Sequence, residues 1–344
     1  MSEILGIQKS EANRAFSKFI EQKYPQWMEQ KSDDIPIQSH NLLQKKVFPN
    51  LKEDKPTIFL LLDNLRMDQW RILEPIISDL FRVEEEDTFY SILPTTTQYS
   101  RNAIFAGVMP SEIESYYPEW WKNDMDTGGK NNHEADLLSA QIDRVFRKPL
   151  KHDYIKVTNV AKGKQLLDNS HNYLNNDLTV IVYNFIDMHS HARTEMEVLK
   201  ELAGDEAAYR SLTRSWFLHS HLWEMLQRVA EKDIQLIIST DHGTIRVKTP
   251  SKVIGDKDTT TNLRYKVGRN LNYEKKDVLE VKDPAKVLLP KPNVSSTFIF
   301  AKEDKYFLYP NNYNHYNSYY KNTFQHGGIS LEEVICPVVR LQSK

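Results

Sequence analysis

The chain has 344 residues, enough for one large α/β domain with an additional element, and its apolar fraction of 40% is ordinary for a globular protein. A formal net charge of −2 excludes a polyanion-binding surface spread over the whole chain, and a single cysteine excludes internal disulfides. No apolar run reaches the length of a leader or of a membrane span, so we expect a cytoplasmic protein.

The first 50 residues carry a helical pattern and no recognisable chemistry. Apolar residues recur at helical spacing over residues 12–28, and Pro25 interrupts that pattern. We therefore expect one helix, a break between Tyr24 and Pro25, and a short second helix. The apolar stripe needs a partner, either the main domain or a preceding piece of chain. We interpret residues 1–50 as a helical segment, the end of a helical bundle, largely separate from a domain at 51–344.

From residue 56 onward, apolar runs alternate with helical patterns. The runs that we predict as strands cover residues 57–62, 89–93, 153–158, 178–185, 236–239 and 334–341. The helical patterns cover residues 67–80, 98–106, 134–146, 161–169 and 195–231. This alternation favours an α/β fold with a doubly wound, mostly parallel sheet and right-handed crossovers. Residues 244–325 lose the alternation, and we interpret them as containing a cap-like insertion over the site.

Residue types that bind metals stand at or just after the ends of these strands. They are Asp63, Asp187, His191, Asp241, His242 and His326. Ligands of open α/β sheets bind beyond the carboxyl ends of the strands, so we expect these side chains to lie together. Asp187 and His191 are four residues apart and can reach one ion from a loop or a first helical turn. For the Asp-His-Gly sequence alone, an ordinary polar turn is an equally good interpretation, and the other strand ends favour the metal site.

A mixed set of carboxylates and imidazoles suits zinc better than magnesium, which prefers oxygen ligands. Six side chains are too many for one tetrahedral ion but suit two ions that share a nucleophile or a substrate oxygen. Two metal ions about 4 Å apart are suited to phosphoryl transfer, because one activates the attacking oxygen and the other stabilises the leaving oxygen. The pattern therefore indicates phosphoester chemistry.

The ordered set of motifs resembles the alkaline phosphatase superfamily over residues 56–341. The superfamily's strand-end Asp, Asp-x-x-x-His, Asp-His-Gly and His-Gly-Gly motifs match at Asp63, Asp187, Asp241 and His326. More closely, the chain is similar to PglZ domains, in particular to the effector part of PorX-type response regulators of Bacteroidota. The phrases that carry this match are Leu93-Pro-Thr-Thr-Thr-Gln-Tyr-Ser-Arg, Asn262-Leu-Arg-Tyr-Lys and Ser10-Glu-Ala-Asn-Arg-Ala-Phe. No receiver-domain pattern precedes residue 50, so we expect a chain that begins inside the helical bundle.

The resemblance also implies a nucleophile at the start of the helix that follows residues 89–93. In the nucleotide pyrophosphatase/phosphodiesterase branch the pattern is Pro-Thr-x-Thr, followed by a helix that closes on Gly-x-x-Pro. Here Pro94-Thr-Thr-Thr97 precedes Gly107-Val-Met-Pro110, which selects Thr97. A threonine hydroxyl is a poor nucleophile until a metal lowers its pKa, and a helix N-terminus favours both an alkoxide and a phosphate. The alternative is that these threonines only cap the helix.

Substrate contacts are harder to choose from the sequence. Arg264, Asn102 and Lys266 are the candidates for binding phosphate oxygens, with Arg101 and Arg269 as weaker ones. Ordinary surface charge is the alternative for each. His189 lies between Asp187 and His191, and we interpret it as a bystander.

The first functional hypothesis is a zinc-dependent phosphodiesterase with two zinc ions per chain, in which Thr97 attacks the phosphorus and water hydrolyses the phosphothreonine. The ligands expected for the first ion are Asp187, His191 and His326, and those for the second are Asp63, Asp241, His242 and the Thr97 oxygen.

By resemblance, the substrates are linear or cyclic nucleotide or oligonucleotide diesters. The resemblance also implies the effector part of a response regulator linked to type IX secretion, with a second copy, a sigma factor or a secretion-system component as partner. The second hypothesis is a non-catalytic signalling effector whose zinc site shapes a surface for dimerisation or for a transcription or secretion partner.

Overall fold

A six-stranded sheet forms the centre of the protein, whose computed structural model describes residues 2–29, 34–184 and 205–344. The strands are β1 (Thr57–Leu62), β2 (Phe81–Tyr90), β3 (His152–Val157), β4 (Leu178–Tyr183), β5 (Gln235–Ser239) and β14 (Ile335–Ser343). Their order across the sheet is β2-β14-β5-β1-β4-β3, and only β14 runs antiparallel to its neighbours. The predicted doubly wound, mostly parallel sheet is confirmed.

The central strands are buried on both faces, which explains their continuous apolar sequences. In β1 the side chains of Phe59 and Leu61 enter one hydrophobic core, and those of Ile58, Leu60 and Leu62 enter a second core on the opposite face. Every residue of β1, β4 and β5 is buried. The polar residues that follow these strands therefore lie together at the carboxyl edge of the sheet.

Helices cover both faces. Those of the described ranges are α1 (Ser2–Glu29), α2 (Met67–Ile77), α3 (Asn102–Ala106), α4 (Pro110–Tyr116), α5 (Glu134–Val145), α6 (Val160–Asp168), α7 (Glu206–Leu218), α8 (His221–Ala230), α9 (Tyr313–Tyr320) and α10 (Leu331–Val334). Side chains of α2, α6, α7 and α8 enter one core, and side chains of α1, α3 and α5 enter the other. Within these ranges, no helix combines the length and hydropathy that a bilayer crossing requires.

The N-terminal helix differs from the expectation in two ways. The predicted break at Pro25 does not occur, since α1 continues through it to Glu29. The segment is also not separate from the sheet domain, because Phe16, Ile20 and Tyr24 are buried in the domain's core. An interior proline costs a helix about 3 kcal/mol, and each large apolar side chain that is buried contributes about 1.5–3 kcal/mol. Packing against the domain therefore outweighs the proline.

Two other elements have different bounds from those predicted. β2 begins at Phe81, eight residues before the predicted strand, because its first half alternates charged, partly exposed residues along an edge of the sheet. The helical region predicted at 195–231 contains α7 and α8, separated where the Ser220 side chain caps α8. Residues 195–204 of that prediction lie outside the described residues.

Residues 244–325 form small antiparallel and mixed sheets rather than further βα units. The strands are β6 (Ile245–Arg246), β7 (Thr249–Ile254), β8 (Tyr265–Gly268), β9 (Asn272–Tyr273), β10 (Val278–Val281), β11 (Thr297–Ala301), β12 (Lys305–Leu308) and β13 (Phe324–Gln325). They pair as β10-β11-β8, β12-β7-β9 and β13-β6. β13 leads directly into His326, so this insertion is continuous with the site.

Candidate metal centre

Two neighbouring strands of the central sheet supply the first candidate ligands. β1 and β5 pair in parallel, and Asp63 and Asp241 follow them at the same edge. Asp63, Asp241 and His242 each offer one ligand atom, and these atoms lie within 4.8 Å of one another. Each of the three residues is at most 1% exposed. The structure thus brings together three of the side chains that the sequence singles out.

The glycine of the Asp-His-Gly sequence is required by a close approach of two backbone segments. A Cβ at Gly243 would lie 1.9 Å from the carbonyl oxygen of Glu332. The Gly243 N–H donates to the carbonyl oxygen of Glu333 at 3.0 Å. Because no other residue fits here, this glycine fixes His242 against the segment that contains α10.

The two carboxylate oxygens of Asp241 have different surroundings. Oδ1 accepts hydrogen bonds from the backbone N–H groups of Asn64, at 3.1 Å, and His242, at 3.0 Å. Oδ2 is buried and has no hydrogen-bond partner among the described residues. The Arg101 Nη1 and His242 Nε2 atoms each lie 3.8 Å from this oxygen. A buried carboxylate oxygen of this kind needs a cation, so the site fits a divalent metal ion.

The two histidines of the site are held by backbone carbonyl groups. His242 Nδ1 lies 3.1 Å from the carbonyl oxygen of Gly243, and His326 Nδ1 lies 3.2 Å from that of Thr95. A carbonyl oxygen can only accept, so each Nδ1 carries the proton and Nε2 is the basic nitrogen. The two rings stack, with centroids 4.3 Å apart and planes 22° apart. His326 therefore joins the edge of the three-residue group.

Thr97 is the threonine that faces this group. Its Oγ1 lies 3.2 Å from His242 Nε2 and 3.5 Å from Asp63 Oδ1. It begins a helical turn, Thr97–Arg101, that continues into α3, and Thr96 before it is extended. The Thr95 hydroxyl instead accepts from the Gly327 N–H and donates to the Gly328 carbonyl oxygen. One hydroxyl out of three thus faces the group of candidate ligands.

A buried guanidinium supports the other side of Asp63. Arg101 Nη1 donates to Asp63 Oδ2 at 2.8 Å, and Arg101 Nε donates to Glu134 Oε1 at 2.6 Å. All three side chains are at most 1% exposed. Burial by itself lowers the pKa of Arg101, but Glu134 and Asp63 outweigh it and hold the pKa well above its ordinary value. Arg101 is therefore a permanent cation that orients Asp63.

Three residues of the sequence prediction cannot be placed. Asp187, His189 and His191 lie outside the described residues. The ligands expected from them for the first ion stay a prediction.

Two of the residues predicted to contact substrate bind other parts of the protein instead. Arg264 is fully buried, and its Nε and Nη2 atoms bind both oxygens of Glu333, at 3.0 and 2.6 Å. Lys266 is 2% exposed and donates to the Thr260 carbonyl oxygen at 2.7 Å. A group whose donors are used inside the cap cannot reach a phosphate in the cleft. The substrate role predicted for Arg264 and Lys266 is therefore replaced by a structural one.

Asn102 is also buried, but it acts on the cleft through its neighbours. Its Nδ2 donates to the carbonyl oxygens of Gln98 and Lys130, at 2.9 and 3.0 Å. Its Oδ1 accepts from Asn131 Nδ2 at 3.1 Å. Asn102 therefore holds the loop of residues 129–132 against the helix that begins at Thr97, and the loop is what lines the cleft.

The sequence interpretation missed several residues of this open cleft. Lys130, Asn131, Lys156 and Asn184 line it together with Asp63, Thr97 and His326. Lys156 Nζ bridges Glu134 Oε2, at 2.8 Å, and the Asn131 carbonyl oxygen, at 2.9 Å. Asn184 could have been found from the strand register, because it follows β4 where Asp63 follows β1. No sequence pattern points to Asn131, because it belongs to a loop without hydrophobic periodicity.

Comparisons with known families give two matches. Residues 42–341 match the family described as the BREX system PglZ alkaline phosphatase-like domain. Residues 1–28 match the PorX response regulator linker domain. Among curated proteins, no significant match is found.

Solved structures of low sequence identity have the same fold. Murine ectonucleotide pyrophosphatase/phosphodiesterase 5 is 11% identical, with a TM-score of 0.53 over 83% of this chain and 88% of that one. The human protein of that name is 10% identical, with a TM-score of 0.51 over 83% and 87%. An inactive threonine-to-alanine variant of the murine protein, in complex with AMP, is 10% identical with a TM-score of 0.51 over 84% and 88%. At this identity the likeness concerns the fold.

Proposed function

Because the chain belongs to the PglZ family of alkaline phosphatase-like domains, we propose that it is a zinc-dependent phosphodiesterase whose nucleophile is Thr97. The observation that carries this proposal is the position of the Thr97 hydroxyl. Its Oγ1 is 3.2 Å from His242 Nε2 and 3.5 Å from Asp63 Oδ1, at the edge of a buried group of candidate ligands. A capping threonine would instead use its hydroxyl on the backbone of its own helix.

The residues proposed to hold the metal are those that the sequence singles out at the strand ends. Asp63, Asp241, His242 and the Thr97 oxygen are the proposed ligands of one zinc ion, and His326 contributes to a second together with Asp187 and His191. When bound, zinc supplies positive charge that lowers the pKa of the Thr97 hydroxyl and polarises the phosphoryl group.

The chain's own side chains supply the rest of the mechanism. The Thr97 oxygen forms a bond to phosphorus as the bond to the leaving alcohol breaks, and that alcohol takes up a proton. Water then attacks the phosphothreonine, which releases a phosphomonoester and restores the hydroxyl. Arg101 keeps Asp63 ionised and oriented during both steps, since its guanidinium is buried and permanently charged.

The cleft beside Thr97 suits an anionic diester. Lys130 and Lys156 line it, and the side chain of Asn131 bridges the Thr97 carbonyl oxygen and Asn102. The structurally similar murine phosphodiesterase loses activity through a threonine-to-alanine change and was solved with AMP. These observations support nucleotide or oligonucleotide diesters as the substrate class.

The match of residues 1–28 to a response regulator linker supports a place for this chain in signalling. We propose that it is the effector part of a response regulator, connected to type IX secretion as the resemblance implies. α1 contacts the segment behind the metal site, because Asn13 Oδ1 accepts from the Leu331 N–H at 2.8 Å and Asn13 Nδ2 donates to Glu332 Oε2 at 3.0 Å.

That contact also favours the second candidate function, a non-catalytic effector whose zinc site shapes a partner surface. A metal count combined with turnover of bis(p-nitrophenyl) phosphate and of p-nitrophenyl phosphate separates the two. The phosphodiesterase proposal expects about two zinc ions per chain and faster turnover of the diester. Bound zinc without turnover of either ester, or of a nucleotide diester, would favour the effector instead.

A further inference from the structure

One helix of the insertion has no buried residue although it is rich in aromatic residues. α9 has the sequence Tyr-Asn-His-Tyr-Asn-Ser-Tyr-Tyr, and none of its residues is buried. We propose that α9 and the basic side chains beside it bind the single-stranded part of an oligonucleotide outside the catalytic cleft. The α9 surface is defined by His315, Tyr316, Tyr319, Arg246, Lys252 and Lys321. The proposal rests on the function above in taking the substrate to be an oligonucleotide.

The inner side of α9 anchors the helix. Tyr313 and Tyr320 pack against a small hydrophobic core of the insertion. The buried Tyr306 hydroxyl donates to Asn317 Oδ1 at 2.6 Å. Positions 313, 317 and 320 lie on one face of a helix. The opposite face is thereby presented to solvent in a fixed orientation, which limits the entropy lost on binding.

The outer side carries aromatic rings. Tyr316 is 40% exposed and Tyr319 is 38% exposed. The rings of His315 and Tyr319 are nearly parallel, at 21° with centroids 6.4 Å apart. The Tyr316 ring lies at 16° to the ring of Tyr320 on the inner side, with centroids 6.2 Å apart. Nucleobases stack on exposed aromatic rings regardless of sequence. The spacing therefore suits successive bases of a flexible strand.

The charges around α9 are complementary to a polyanion. Lys252 Nζ lies 5.0 Å from the centre of the Tyr313 ring, and Arg246 Nε donates to the Asn322 carbonyl oxygen at 3.3 Å. Among the described residues, no carboxylate forms an ion pair with Arg246, Lys252 or Lys321. Asp and Glu make up about one residue in seven of the chain, yet none occurs over residues 305–331. Phosphates would therefore meet the charges of Lys252 and Lys321 here, whereas Arg246 lines a pocket that it shares with Glu206, Glu303 and Asp304.

The composition of α9 suits either a nucleic acid or a protein partner, because tyrosine is common in both kinds of interface. The lack of aliphatic residues in the helix and the neighbouring lysines favour nucleic acid. The amide side chains and rings of α9 suit bases and sugars.

The α9 surface is connected to the metal centre by a short stretch of chain. His326 follows Tyr320 by six positions, a reach of at most about 20 Å in extended chain. β13 lies between them and pairs with β6, which carries Arg246. An oligonucleotide on this surface can therefore extend into the cleft.

Binding of a hydrolysis-resistant probe tests the proposal. With fluorescein-labelled phosphorothioate oligothymidylates, we expect a twelve-nucleotide probe to bind at least about tenfold tighter than a dinucleotide. Tyr316→Ala should weaken the longer probe about five- to tenfold through lost stacking, and Tyr316→Phe should restore most of the affinity. Lys252→Ala should reduce the slope of log affinity against log salt by about 0.7, the value for one phosphate of a single strand.

Controls separate this surface from the catalytic site. Tyr116→Ala removes a tyrosine that is 60% exposed elsewhere and should leave oligonucleotide affinity unchanged. Turnover of bis(p-nitrophenyl) phosphate should be the same in Tyr316→Ala and in the wild type, because that diester is too small to reach α9. If no diester is cleaved but the longer probe still binds through Tyr316, the phosphodiesterase proposal fails and the α9 surface stands.

Two results would overturn the proposal. One is wild-type affinity for the longer probe in both Tyr316→Ala and Lys252→Ala. The other is a changed oligomeric state in these variants with unchanged probe affinity, which would assign α9 to a contact between proteins.

Discussion

Three consecutive threonines have different surroundings although their side chains are chemically alike. Thr95 bonds the backbone of Gly327 and Gly328, and Thr96 is buried without a hydrogen-bond partner for its hydroxyl among the described residues. Thr97 alone faces Asp63 and His242. Substitutions along this run therefore separate catalysis from support of the site.

We expect Thr97→Ala to lower diester turnover by at least about a thousandfold, the order seen when a covalent nucleophile is removed and binding remains. Thr97→Ser keeps the oxygen and should retain a measurable fraction. Zinc content should be preserved in both, since the carboxylate and imidazole ligands are unchanged. Steady-state rates with metal analysis check this, and Thr96→Ala is the matched control. If Thr97→Ala turned over the diester at the wild-type rate and Thr96→Ala did not, the nucleophile would be Thr96.

A second residue-scale prediction concerns Asp241 Oδ2, which is buried and has no hydrogen-bond partner among the described residues. Ligand binding to the native state alone stabilises it by about 2.7 kcal/mol at a hundredfold excess over the dissociation constant. Zinc should therefore raise the Tm of the wild type above its value in chelator. In Asp241→Asn the charge of one proposed ligand is gone, so zinc should raise the Tm clearly less than in the wild type, and the metal-free variant should be at least as stable as the metal-free wild type. Thermal unfolding with zinc and with chelator measures the Tm of the two proteins. A wild-type Tm that is the same with zinc and with chelator would contradict the metal centre.

At the scale of elements, α1 is part of the domain that it precedes. Phe16, Ile20 and Tyr24 are buried, and the Tyr24 hydroxyl accepts from the Leu93 N–H at 2.9 Å. Removing the helix exposes the surface that these side chains cover, and it leaves the Leu93 N–H without a partner.

Deleting residues 1–28 should lower the Tm by roughly 10 °C or more, because three large side chains contribute about 1.5–3 kcal/mol each and 1 kcal/mol shifts the Tm of a large domain by about 2–4 °C. Calorimetry or circular dichroism measures the change. The double variant Ile4→Ser, Leu5→Ser alters residues that are each 60% exposed and should change the Tm little. A truncated protein with the wild-type Tm would restore the expectation of a separate segment.

Lys266 in β8 gives the insertion a pH-dependent stability. Burial lowers its pKa to about 7, whereas a lysine of an unfolded chain titrates near 10.4. Between these values the unfolded state binds more protons than the native state, so stability should rise with pH.

From pH 7 to 9 we expect Lys266 to add up to about 1.4 kcal/mol per pH unit to the free energy of unfolding. Lys266→Met should remove that rise and be the more stable protein at pH 7. Urea unfolding across this range tests the prediction, with the exposed Lys282→Met as control. Equal slopes for the wild type and Lys266→Met would show that Lys266 is charged in the native state.

At the scale of the whole molecule, the apolar runs made the sheet predictable. β1, β4 and β5 are continuous apolar sequences because both of their faces are covered, and that pattern predicts their places and the polar residues at their ends. The first half of β2 escaped prediction because charged side chains occupy the exposed positions of this edge strand. The directions of side chains could not be predicted either, since nothing in the sequence tells whether Arg264 faces the cleft or Glu333. The continuous α1 depends on tertiary packing that overrides Pro25.

The position of β14 has a consequence for how the protein is made. The last strand lies inside the sheet, between β2 and β5, so these two strands cannot be joined until residues 335–343 have been synthesised. Until then each presents an open edge of the kind that promotes aggregation, and the final pairing spans about 245 residues of sequence, which is slow to form. We expect a chain that stops at Val334 to accumulate as insoluble protein, measured as the soluble fraction on expression. A soluble, folded truncation would mean that β5, β1, β4 and β3 are stable without β14 and without the strand β2 that it joins to them.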